Sequence, residues 1–262
     1  MNKNLIHAIA AGAGLVFSTG ALAEETSKAQ QQATEKRIAA DYKAAKTGCD
    51  SLSANAKDVC VAEAKGKAAV ARAELAAQQK PTAKNTNRVH EAKADATYAV
   101  AIQRCDDRAG NDKDVCVKEA KAAKVRAIAD AKTKMTSTEA NAKSKEITSK
   151  ANAEARETTS KVNAEANETS AKASETAANA NAASANATAT AKDSADKAKA
   201  AARQTAAQGE AKANETKREA RQDATEEKRE ANYAVDKEKC DSLSGAAKDA
   251  CLGEAKMQSG KR

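Results

Sequence analysis

Six cysteines are the side chains of this 262-residue chain whose type and spacing could do chemistry together. They fall in three pairs, Cys49 and Cys60, Cys105 and Cys116, Cys240 and Cys251, with ten residues inside each pair. The short C-x-x-C spacing of redox and metal centres is missing. Of the two histidines, His7 lies in the first apolar segment, and His90 has no Cys or acidic cluster at ligand spacing. Serine is plentiful, but without a His base there is no nucleophile pair, and no Gly-rich phosphate loop occurs. Oxidation to structural disulfides is the chemistry that remains. The chain reads as a non-enzyme with no catalytic residue, no cofactor and no metal ligand.

Aligned on its cysteines, the chain repeats Y-x6-C-D-x6-K-D-x-C-x2-E-A-K three times, from Tyr42, Tyr98 and Tyr233, and this takes up every Tyr and every Cys. On one continuous helix the two cysteines of a repeat would lie about 16 Å apart, whereas a disulfide needs about 4.4 to 6.8 Å between Cα atoms. Either the helix turns back between them or the cysteines pair between chains. Ser53-Ala54-Asn55, Ala109-Gly110-Asn111 and Ser244-Gly245-Ala246 lie midway and are rich in turn formers, so each unit reads as a helical hairpin. Six cysteines permit fifteen pairings. Because the repeat carries its own two, the expected bonds are Cys49 to Cys60, Cys105 to Cys116 and Cys240 to Cys251.

The elements that hold these cysteines follow from local signals. Asn55 and Asn111 are placed to cap the second helix of their hairpins, with Asp58 and Asp114 near its positive end; the third copy has Ala246 there and a weaker or displaced cap. Ahead of the turn, Ile38, Tyr42, Ala45, Cys49 and Leu52 recur at intervals of four and three, as do Ala94, Tyr98, Ala101, Cys105 and Arg108. That is a heptad seam suited to close antiparallel pairing. Tyr42, Tyr98 and Tyr233 sit two turns before each first Cys on the same face. They are candidate partner contacts, although filling the hairpin seam is the favoured reading. Pro81 breaks the helix between the first two hairpins. Residues 24–132 then form two hairpins in a small bundle, and valines such as Val59, Val70 and Val100 supply the only core.

Residues 133–232 hold only Met135, Ile147 and Val162 as large apolar side chains. Thr136 to Glu168 falls into eleven-residue repeats marked by Asn141, Asn152 and Asn163, a period of about 3.67 residues per turn. Frequent Ala, with no Gly or Pro between Gly110 and Gly209, favours helix, whereas the Ser, Thr and Asn around 179–190 oppose it. The segment reads as a long polar helix or as partly disordered, spanning about 150 Å if continuous. Residues 233–262 form the third hairpin and a tail.

The fold class expected is therefore all-α, with disulfide-closed helical hairpins flanking a long polar segment. Seventy of the apolar residues are Ala and only 31 are large, too few for one globular core. The start, a Lys-bearing tetrapeptide, an apolar run from Leu5 to Phe17 and Ala21-Leu22-Ala23 before Glu24, has the three parts of a secretory signal peptide (residues 1–23). Cleavage is expected between Ala23 and Glu24. The run is too short to span a bilayer, so the mature chain is expected without a transmembrane segment, in an oxidising periplasm. The formal net charge of +8 is spread among alternating acids and bases, with no Trp for stacking, which argues against nucleic acid.

The hairpins of the form CDSLSANAKDVCVAEAK behind a signal peptide resemble small Ala/Lys-rich periplasmic proteins of Gram-negative bacteria labelled as TolA-like cell-envelope proteins. The eleven-residue repeats, with segments such as AKDSADKAKAAARQ, are similar to late embryogenesis abundant (LEA) proteins over residues 136–232. With the first resemblance, the chain reads as an envelope spacer or interaction protein; an unknown envelope protein or peptidoglycan is the candidate partner, and self-association is a further candidate. The second implies a stress protectant of periplasmic proteins or membranes.

Overall fold

The computed structural model describes residues 19–174 and 180–260. The signal segment before Thr19 lies outside them. Among the described residues every regular element is helical: α1 (Thr19–Gly48), a 3-10 turn at Cys49–Ser51, α2 (Ala54–Gln79), α3 (Ala83–Cys105), α4 (Gly110–Ser174), α5 (Ala180–Cys240) and α6 (Gly245–Gln258). The backbone at Ala23 and Glu24 belongs to α1. Lys80-Pro81 ends α2 as expected, and Thr82 accepts a hydrogen bond from the Asn85 N–H at 3.1 Å to cap α3.

Each helix runs antiparallel to the next. Glu35 pairs with Arg72 at 2.8 Å, Glu63 with Arg104 at 3.1 Å and Glu74 with Lys93 at 2.8 Å. Asp95 pairs with Lys124 at 2.6 Å, Glu119 with Lys239 at 3.2 Å and Glu227 with Lys132 at 3.4 Å. Among the described residues contacts join only consecutive helices. The molecule is thus an open row in which α1 and α6 are the edges, and the helices of residues 24–132 do not close into the expected bundle.

The described residues of the 133–232 segment are helical, but they do not run on as one rod of about 150 Å. They divide between α4 and α5, which lie side by side in one register from Glu119 opposite Lys239 to Ser170, whose hydroxyl is 3.0 Å from that of Ser184. The reason is an Ala seam at the eleven-residue period. Ala129, Ala140 and Ala151 of α4 are buried, and so are Ala191, Ala202, Ala213, Ala224 and Val235 of α5. Eleven residues make three nearly undistorted turns, so one stripe stays aligned along a straight helix. Asn141, Asn152 and Asn163 follow the seam positions and are exposed. Each buried methyl contributes only about 0.8 kcal/mol, so the pair is held by many small terms.

The core also differs from the one expected. Val59, Val70, Val100, Ile102 and the other valines and isoleucines of residues 59–128 are only half-buried. Among the described residues, Ile38 and Val235 are the large aliphatic side chains that become buried, and the largest fully buried side chains are Cys49, Cys105 and Cys240. A single layer of helices gives a side chain neighbours to left and right but none above or below. Small residues between helices are covered, and branched residues on the faces are not. At the α2/α3 crossing a Cβ on Gly66 would lie 2.7 Å from the Ala96 Cβ, so only glycine permits this approach.

Candidate interaction surface

The three cysteine repeats build one turn three times. Cys49 is bonded to Cys60, Cys105 to Cys116 and Cys240 to Cys251, with Cα separations of 5.7, 5.6 and 5.7 Å. In each, the N–H three residues after the first Cys donates to that cysteine's carbonyl: Leu52 at 3.1 Å, Arg108 at 3.0 Å and Leu243 at 3.0 Å. Five residues after it the backbone is left-handed, at Ala54 (φ 48°), Gly110 (φ 58°) and Gly245 (φ 55°). This residue reverses the chain and opens the next helix. Asn55 and Asn111 therefore fall inside their helices and do not cap them, and Ala246 in the third copy costs no cap.

The repeated Asp and Lys bridge each turn. Asp50 meets Lys57 at 2.9 Å, Asp106 meets Lys113 at 2.9 Å and Asp241 meets Lys248 at 2.7 Å. The Asp106 hydrogen bond raises the Lys113 pKa above its ordinary value, and the Lys248 hydrogen bond lowers that of Asp241. These pairs are exposed and screened by water, so they add little to stability. Their part is to fix the turn geometry.

Antiparallel order along the row puts all three turns at the same end. Glu63–Arg104 ties the first turn to the second. Lys118–Glu238 at 3.5 Å and Glu119–Lys239 at 3.2 Å tie the second to the third. Leu52 and Leu243, each 42% exposed, project from the first and third turns, and Arg108 occupies the same place in the second.

Tyr42, Tyr98 and Tyr233 are half-buried. The Lys124 ammonium stands 5.1 Å from the Tyr98 ring centroid, a cation–π distance. His90 is exposed on α3. Among the described residues no group of His, Cys, Asp and Glu is arranged to hold a metal ion, and no helix is long and apolar enough to cross a membrane.

Sequence reading missed two features. One is the continuation of the eleven-residue period into α5, whose signal was small residues at 191, 202, 213 and 224. The other is the groove between α2 and α3, which needs their register to be known. No family model, curated protein or solved structure matches the chain. The class defined by the fold is an all-α, disulfide-stapled helical row, and its three disulfides are those of an oxidising, exported environment.

Proposed function

We infer that this is a non-enzymatic periplasmic protein acting as a cell-envelope spacer. Its disulfide-stapled head engages an envelope protein or peptidoglycan, and its stalk sets a distance. The observation that carries the reading is the gathering of three stapled turns at one end of a row from which α4 and α5 extend alone. By the Asp95–Lys124 register, the first residue of α3, Ala83, lies opposite about residue 136 of α4, so some 38 residues of α4 continue past it to Ser174, about 57 Å at 1.5 Å per residue. A head rigidified by crosslinks and a long, straight, two-helix projection suit a spacer better than a ligand pocket or an enzyme.

One observation favours the second reading, a LEA-like protectant: the stalk's seam is almost wholly Ala, as at Ala151, Ala155 and Ala202, so its folding is weakly driven. Hydrogen exchange on the full oxidised chain in water separates the two. Protected amides across 140–170 and 185–215 support the spacer. Unprotected amides there that become helical on drying support the protectant and defeat the spacer.

A further inference from the structure

A row one helix thick leaves apolar side chains on both faces, although stable helical domains bury such stripes between two layers. One face of the α2/α3 pair is an open groove of about 810 Å³ lined by Val70 and Val100 among others. Both helices meet it with the same spacing, i, i+3, i+4, i+7, i+8 and i+11, from Glu63 to Glu74 on α2 and from Lys93 to Arg104 on α3. Each stripe begins and ends on a charge. The α2 edge carries Glu63 and Glu74, with Lys67 between them, and the α3 edge carries Lys93 and Arg104. Glu63 is level with Arg104 at 3.1 Å, and Glu74 is level with Lys93 at 2.8 Å.

We propose that a second copy of this chain covers this groove, forming a parallel two-fold dimer through α2 and α3. The arrangement of charge selects both the partner and its direction. A two-fold axis parallel to the helices keeps the level of every residue and exchanges left for right. It lays the Glu63–Arg104 ion pair of each copy head-to-tail on that of the other, and the Glu74–Lys93 pair likewise, so that each end of the groove becomes a square of four alternating charges. An axis across the helices lays like charge on like and is disfavoured. Lys67 meets the neutral stretch around Val100. The parallel dimer covers Val70 and Val100 and brings the stapled turns of both copies to one end. This inference does not depend on the spacer reading, since a protectant could dimerise in the same way.

The test uses the full oxidised chain in sedimentation velocity, with circular dichroism to verify folding. Wild type is expected at twice the monomer mass. The basic edge reversed (K93E with R104E) and the acidic edge reversed (E63K with E74K) are each expected to be folded monomers, and their equimolar mixture is expected to regain the dimer. A wild type that stays monomeric, or a dimer indifferent to both reversals, overturns the proposal. If either reversed variant is unfolded, Thr97→Glu, an exposed site on the groove, replaces it and must give a folded monomer; a dimer overturns the proposal equally.

Discussion

Asp241 and Lys248 face each other at 2.7 Å across the third turn, and the same pair recurs at the same offset in the other two turns. Because the Lys248 hydrogen bond holds the Asp241 carboxyl below its ordinary pKa of 3.8, its contribution is present above that value and lost as pH falls through the lowered one. Lys113 is displaced the other way, above 10.5, so its contribution is complete below 10.5 and lost as pH rises through the raised value. Thermal melts are expected to be flat through neutral pH and to fall at both extremes. Asp241→Asn should remove part of the acid limb.

Ala54 holds a left-handed backbone that costs a non-glycine residue about 1 to 2 kcal/mol. Ala54→Gly should therefore stabilise the first hairpin by about 0.5 to 1 kcal/mol after the added chain entropy of glycine. Gly245→Ala should destabilise the third by about 1 kcal/mol, since nothing crowds a Cβ there. Urea melts of the two variants check both signs.

Gly66→Ala should cost about 1 to 3 kcal/mol by overpacking, because the new methyl meets Ala96 at 2.7 Å. Adding Ala96→Gly should restore most of it. A double-mutant cycle by chemical denaturation reads the coupling; additive effects would remove the close crossing.

Replacing Cys105 and Cys116 by Ser should lower stability by about 3 kcal/mol on the chain-entropy account. Tyr98→Ala should also lower it, through lost packing under Lys124. If Tyr98→Ala left the melt unchanged while abolishing crosslinks to envelope partners, the tyrosine would be a contact residue and not a seam residue.

What the sequence made legible was local. The C-x10-C hairpins needed only loop geometry, and Pro81 only a missing N–H. The direction of the long segment was hidden, because no Gly or Pro marks a reversal between Gly110 and Gly209. The α5 seam was masked by Lys217 and Lys228, which occupy half-buried seam positions while their ammonium groups reach Asn214 at 3.2 Å and Asp130. The burial of Ala in preference to Val could not be read from composition. It follows from the one-layer arrangement, a property of how helices pair.

The central claim is that α5 returns along α4 and brings the third stapled turn beside the second. Zero-length carbodiimide crosslinking of a mixture of light and nitrogen-15-labelled chains tests it directly. Glu119 and Lys239 are 3.2 Å apart, so a Glu119–Lys239 crosslink within single chains, carrying one isotope throughout, is expected. On one continuous helix the two would be about 180 Å apart. A crosslink found only between light and heavy chains, or none while Glu74 couples to Lys93 2.8 Å away, would contradict the fold-back.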